Sequence, residues 1–249
     1  MIKTIIVIGI SIALGIVCGS GCVYAFNHIP DEWLGVDEEG REWQRVKSVP
    51  WKYIFTATFI VAGIYLGMAD SEKAAGLYAG CLMLAEIGMA AFLYDCIPRP
   101  LVWMLAITGA GIIPFTIDED LGFGPGMMGM IKAHLLGAAA GFAVMLALVL
   151  LKKAVFKRGG SEISFGISEL ALVLGLLWGW RRVLTIIACG LIAWGIYVVF
   201  QKFRKEGIMT RRVSADGTMN KLKLSENFFV TASAFVWTLA GAGISGTII

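Results

Sequence analysis

Long runs of apolar residues alternate along the chain with shorter polar segments. Eight of these runs approach or exceed about 18 residues, the length at which an apolar run predicts a membrane-spanning helix. They cover residues 3–26, 52–69, 75–94, 101–117, 127–151, 165–180, 183–200 and 228–248. The pattern predicts an all-α, polytopic integral membrane protein with about eight transmembrane helices, built as a single membrane domain over residues 1–249.

Composition agrees with a chain that is mostly surrounded by lipid. Only 16% of the 249 residues are charged, and 58% are hydrophobic, whereas roughly a quarter of the residues of a soluble domain are charged. The formal net charge of +3 is small, so nucleic-acid binding has no support. The partners that composition predicts are membrane lipids.

The positions of the basic residues predict the orientation of the spans, because loops rich in Lys and Arg face the cytoplasm. With eight spans, only five of the 21 Lys and Arg residues fall on the side that carries the N-terminus. They are Lys3, Lys73, Lys132, Arg181 and Arg182. The other side holds the remaining 16 and is predicted to be cytoplasmic. This puts the N-terminus outside and residues 27–51 in a cytoplasmic loop.

The five cysteines lie in predicted spans or at their ends, and no C-x-x-C motif occurs. This spacing indicates neither a zinc site nor a disulfide framework. The sequence therefore predicts no metal ion and no cofactor.

Three acidic residues fall where a solvated loop does not explain them. Glu86 lies in the middle of a predicted span, Asp95 ends that span, and Glu169 begins another span on the same predicted side. Ionisable groups in spanning segments are rare and often functional. Asp95 and Glu169 are predicted at similar depth near the cytoplasmic face, and two carboxylates that share a proton can carry out aspartic proteolysis. Asp95 and Glu169 are therefore the candidate catalytic pair.

Each of these residues also has another interpretation. Asp95 suits the N-cap of a helix that begins near Pro98, and Glu169 in a first helical turn is favoured by the helix dipole by roughly 0.3–1 kcal/mol. Glu86 is either a hydrogen-bonding group between helices or part of an ion path in a small transporter. His134 is expected at the external interface of its span.

Several segments resemble the type IV prepilin peptidases, the aspartic membrane enzymes that trim prepilin leaders. They are "GIVCGSGCVYAFNHIP" (15–30), "SVPWKY" (48–53), "YDCIPRPL" (94–101), "HLLGAAAGF" (134–142) and "GGSEISFGISELALVLGLLWGW" (159–180). The third is similar to the family's D-x5-IP-x-x-L motif and the last to its G-x-G-D segment. In an ungapped alignment of these two motifs, Ala91 and Ile167 take the positions of the family's aspartates, and Asp95 and Glu169 lie a few residues further on.

The resemblance implies an activity: cleavage of the leader of a type IV prepilin or pseudopilin at the cytoplasmic face of the bacterial cytoplasmic membrane. Residues 75–200 would form the peptidase-like core, and Asp95 and Glu169 would supply the paired carboxylates. The shifted positions imply a second candidate, a catalytically inactive family member that acts as a pilus or secretion assembly factor. A third candidate, from a different class, is a small transporter that uses Glu86.

Overall fold

The computed structural model describes residues 2–34, 48–69, 73–116, 121–156, 165–203, 211–213, 219–221 and 224–240. Its helices are α1 (Ile2–Asn27), α2 (Ser48–Met68), α3 (Ala74–Tyr94), α4 (Arg99–Ala110), α5 (Met127–Phe156), α6 (Gly166–Phe203) and α7 (Glu226–Ala240). Short 3-10 helices lie at Asp31–Leu34 and Ile113–Thr116, and β1 (Arg211–Val213) pairs antiparallel with β2 (Met219–Lys221). The predicted helical architecture is confirmed, apart from this strand pair, which the apolar pattern does not predict.

Within the described ranges, five helices are long and apolar enough to cross a membrane by length and composition: α1, α2, α3, α5 and α6. They indicate a membrane protein, but this criterion does not reproduce the predicted count of eight spans. α4 has 12 residues and stops where Gly111 and Pro114 interrupt the apolar run. α7 is described over 15 residues, and the rest of the predicted last span, to residue 248, lies outside the described residues.

α6 reverses direction at Gly179, which has φ 77° and ψ 173° within an otherwise helical segment. A Cβ atom added at Gly141 of α5 would touch the main chain of Ala171 and lie 3.1 Å from Cγ2 of Val183. These two α6 residues would be about 18 Å apart in a straight helix. The segments before and after Gly179, called here the first and second arms of α6, therefore fold back along the same stretch of α5. Glycine reaches this positive φ without the steric cost of a side chain.

Contacts between helices define two ends of the bundle. At one end, here called the Asp95 end, Asn227 at the start of α7 is hydrogen-bonded to Asp95 at the end of α3. At the opposite Gly179 end, a Cβ atom on Gly179 would lie 3.8 Å from Cβ of Ala133 near the start of α5. Successive helical segments, with the arms of α6 counted separately, alternate in direction between these ends. The turns that lead into α4 and α6 therefore lie at the Asp95 end.

Two clusters of buried apolar side chains hold the helices together. The larger joins α3, α4, α6 and α7 and includes Leu84, Leu105 and Leu174. The smaller joins α1, α2 and α3 and includes Phe26 and Phe59. In water, burial of such side chains contributes about 25 cal/mol per Å² of apolar surface. In lipid this contribution is largely absent, and close packing between the helices stabilises the bundle instead.

The outer face of α1 is apolar along its length. The side chains of Ile5, Ile16 and Val17 are 65%, 52% and 68% exposed. A continuous exposed apolar face is unfavourable in water but suits the hydrocarbon core of a bilayer. This face therefore supports the assignment to a membrane.

His134 is buried within the protein at 3% exposure, and its predicted place at the external interface of its span stays a prediction. Its Nδ1 lies 2.7 Å from the carbonyl oxygen of Leu176, and its Nε2 lies 3.0 Å from Oγ1 of Thr116. Because a carbonyl only accepts hydrogen bonds, Nδ1 carries the proton in this contact. The last carbonyls of a helix lack intrahelical donors, so His134 supplies one near the end of the first arm of α6.

Replacing His134 with alanine is expected to lower the free energy of unfolding by about 1–3 kcal/mol, since the carbonyl of Leu176 loses its side-chain donor in a buried place. His28→Ala is the control, because His28 is exposed and, among the described residues, bonds to the nearby carbonyl of Tyr24 on α1. Thermal unfolding in detergent, followed by near-UV circular dichroism, measures both variants. Equal shifts in the two midpoints would contradict a capping role for His134.

Candidate functional site

Asp95 closes α3 in the left-handed conformation, with φ 56° and ψ 28°. Within the described ranges it is the one non-glycine residue with a positive φ. The N-cap of α4 is Pro98, and no side chain caps that helix start. The interpretation of Asp95 as the N-cap of α4 is therefore wrong, because Asp95 is the residue at which α3 ends.

Asn227 holds Asp95 from the start of α7. Its Nδ2 donates to the main-chain oxygen of Asp95 at 3.2 Å and to Oδ1 of the same residue at 3.3 Å. One amide therefore fixes both the left-handed backbone and one carboxylate oxygen of Asp95. Oδ2 has no hydrogen bond from the described residues, and the Asp95 side chain is exposed.

Glu169 lies in the first turn of α6, as predicted, and forms an ion pair with Arg99 from the start of α4. Nε of Arg99 lies 3.0 Å from Oε1, while the side chains are 60% and 22% exposed for Arg99 and Glu169. Oε2 of Glu169 is buried and has no partner among the described residues. The partly exposed ion pair itself contributes about 1 kcal/mol or less to stability, so its main effect is to orient Glu169.

The segments that carry Asp95 and Glu169 are in main-chain contact. A Cβ atom added at Gly166 would lie 2.7 Å from the carbonyl oxygen of Ile97 and 3.0 Å from its Cβ. Ile97 is two residues after Asp95, and Gly166 is three residues before Glu169. The α3–α4 turn and the first turn of α6 therefore form one junction at the Asp95 end.

The two carboxylates have different hydrogen-bond partners within that junction. Asp95 is bonded to Asn227, and Glu169 is paired with Arg99. Among the described residues no hydrogen bond joins the two acids directly. Their action as a proton-sharing pair stays a prediction.

Further polar groups surround the junction. Oγ of Ser168, adjacent to Glu169, is fully buried, and Oγ of Ser225, just before α7, is also buried; neither has a partner in the described ranges. Lys152 forms an ion pair with Glu226 at the first turn of α7. The Asp95 end therefore carries polar side chains, among them two buried hydroxyl groups without a partner in the described ranges.

Glu86 belongs to a different region. It is buried at 5% exposure in α3 and lies nine residues before Asp95, or about 13 Å along the helix axis. The thiol of Cys22 on α1 is hydrogen-bonded to it, and its Oε2 has no partner among the described residues. Its side chain therefore contacts a neighbouring helix, as expected for a residue that forms a hydrogen bond between two helices.

Two residues of the junction, Arg99 and Asn227, are absent from the sequence-based candidates. Arg99 follows Asp95 at the start of a helix, and Asn227 lies in "SEN" just before the last apolar run. Both positions could be recognised in the sequence as helix starts. The local sequence does not indicate which acidic residue the side chain of Arg99 or Asn227 contacts. Residues 35–47 of the predicted cytoplasmic loop 27–51 lie outside the described residues.

In the part of the chain that the structure describes, no three His, Cys, Asp or Glu side chains are placed to hold a metal ion. No described cluster is therefore a candidate metal centre. No family model, curated protein or solved structure matches the chain.

Proposed function

We propose that this protein is a divergent relative of the type IV prepilin peptidases that cleaves the leader of a prepilin or pseudopilin at the cytoplasmic face of a bacterial cytoplasmic membrane. Asp95 and Glu169 are the two acids of this proposal. Its support is the main-chain contact between the turn after Asp95 and the first turn of α6, which brings two distant carboxylates to one end of the bundle.

The chemistry assigned to the pair uses the oxygen atoms that have no partner among the described residues. Oε2 of Glu169 accepts a proton from a water molecule, and the resulting nucleophile attacks the scissile carbonyl carbon. Asp95, protonated on Oδ2, donates that proton to the carbonyl oxygen as the tetrahedral intermediate forms. The proton held by Glu169 then passes to the leaving amine as the C–N bond breaks, while Asp95 takes back the proton from a hydroxyl group of the intermediate and the C=O bond forms again.

The proposal includes a topology of eight spans, with both arms of α6, α4 and α7 counted as membrane-crossing. In this topology the N-terminus is external and the Asp95 end is cytoplasmic. The distribution of basic residues supports it, since Arg99 and Lys152 lie at the Asp95 end while Lys132 and Arg181 lie toward the Gly179 end. A prepilin leader, which enters from the cytoplasm, would then reach the acids directly.

Leader removal tests this function. The protein is co-expressed with several prepilins and pseudopilins from the same genome in a host that lacks a prepilin peptidase, and the mass of each pilin is determined. The proposal predicts at least one pilin shortened by its leader. If every leader stays intact beside well-folded protein, the peptidase proposal is overturned.

A second candidate is a non-cleaving relative that binds prepilins during pilus or secretion assembly. The ion pair between Arg99 and Glu169 favours it, because an acid committed to a guanidinium is less available for proton transfer. In the same experiment this candidate predicts uncleaved prepilin that co-purifies with the protein. Transport through Glu86 has less support, since that side chain contacts Cys22 of a neighbouring helix.

A further inference from the structure

We infer that Asn227 is a positioning residue for Asp95, an inference that rests on the proposed function for its catalytic consequence. The two residues are 132 positions apart in the sequence, yet a single amide group meets both the backbone and the carboxylate of Asp95. A side chain that served only to pack α7 against α3 would not need this double contact.

The backbone conformation of Asp95 adds a second observation. A positive φ is uncommon for a residue with a side chain, and Asp and Asn are among those that tolerate it best. Such strained positions persist where the surrounding structure holds them, often at functional sites. Here the bond from Asn227 to the Asp95 carbonyl stabilises the left-handed turn that separates α3 from α4.

The bond to the carboxylate then determines which oxygen atom is available. With Oδ1 held by the amide, the Asp95 carboxylate is fixed about its last torsion angle, and Oδ2 is left for the substrate carbonyl. Asn227 does not touch the reacting atoms in this arrangement. It acts by keeping Asp95 in one orientation, and misplacing a catalytic group by about 1 Å can lower a rate by up to about a hundredfold.

Two substitutions separate this role from simple packing. Asn227→Asp keeps the shape of the side chain but replaces the amide donor with a carboxylate oxygen, and Asn227→Ala removes the group altogether. Ser233→Ala is the matched control, because Ser233 lies on the same helix and bonds to the carbonyl of Ile186 instead. All variants are first checked for folding by size-exclusion chromatography in detergent.

The kinetic measurement is leader cleavage by purified protein. Both Asn227 variants are expected to lower kcat by about ten- to a hundredfold with KM nearly unchanged, and Ser233→Ala is expected to match the unsubstituted protein. If Asn227→Asp cleaves as fast as the unsubstituted protein, the shape of the side chain suffices and the inference is wrong.

A second measurement needs no cleavage and keeps the inference separate from the proposed function. The carboxyl of Asp95 is labelled with a water-soluble carbodiimide and a small amine, and the label is located by mass spectrometry. Loss of the amide donor uncovers Oδ1, so labelling of Asp95 is expected to rise about fivefold in both Asn227 variants, while the exposed Glu32 is labelled at an unchanged rate. If the protein cleaves no leader but shows this increase in labelling, the proposed peptidase activity is wrong and the inferred contact between Asn227 and Asp95 stands. Unchanged labelling of Asp95 overturns the inference in either case.

Discussion

Asp95→Asn and Glu169→Gln are each expected to reduce leader removal by about 10²–10⁴-fold, because each takes away one of the two groups that move protons in the proposed reaction. Both substitutions keep the size of the side chain. The amide oxygen introduced at Asp95 can still accept the bond from Asn227, and the one introduced at Glu169 can still accept from Arg99. The loss is therefore expected without unfolding, and it is measured as the rate at which shortened pilin appears.

Glu32→Gln is the matched control for this pair, since Glu32 is an exposed acid in the 3-10 helix after α1. It should leave the rate within about twofold of the unsubstituted protein, as expected for an exposed acid that takes no part in the proposed proton transfers. If Glu169→Gln cleaves at the normal rate, Glu169 is only the structural partner of Arg99. If both substitutions are harmless, the active acids lie elsewhere in the chain.

Gly175→Leu is expected to prevent correct packing of α6 on α5, the largest effect on stability that the structure predicts. A Cβ atom at Gly175 would overlap the main-chain carbonyl of Gly137 and lie 2.7 Å from the amide nitrogen of Ala138. Both contacts are with backbone, which cannot move aside as a side chain can. Overpacking typically costs about 1–3 kcal/mol and sometimes more, and here the helices have to separate.

Gly195→Leu provides the comparison, because Gly195 lies in the second arm of α6 and a Cβ atom there would have no neighbour within 4 Å. We expect Gly195→Leu to be monodisperse in detergent with an unfolding midpoint near that of the unsubstituted protein. Gly175→Leu should aggregate or unfold at a clearly lower temperature. Equal behaviour of the two variants would mean that α5 and α6 do not approach each other at Gly137 and Gly175.

Much of the fold can be predicted from the sequence because lipid selects long apolar helices with few charges. Prediction from the sequence is least accurate where the conformation of one residue determines how two helices are connected. The sequence predicts two separate spans on either side of Arg181 and Arg182, whereas the chain turns at Gly179 and continues as helix without a loop. Hydropathy predicts the reversal, because it separates two spans here, but it does not predict that a single positive φ at Gly179 makes the turn without a loop.

The candidate site was predictable in part for a similar reason. Alternation of spans brings Asp95 and Glu169 to the same end, and the structure agrees. Their partners Arg99 and Asn227 depend on how α4 and α7 are rotated and packed, which no local pattern encodes. His134 shows the same limit, since its position near a span end does not indicate that its ring bonds to the carbonyl of Leu176.

The central claim is that the side chains of Asp95 and Glu169 can approach closely enough to share a proton, and cross-linking tests it most directly. In a variant with all five cysteines replaced, Asp95→Cys and Glu169→Cys are introduced together and treated with a mild oxidant and with a short bifunctional thiol reagent. Asp95→Cys with Lys132→Cys, a residue toward the Gly179 end, is the control pair. Rapid cross-linking of the first pair and none of the second is expected. Absence of any cross-link between positions 95 and 169 in folded protein would contradict it.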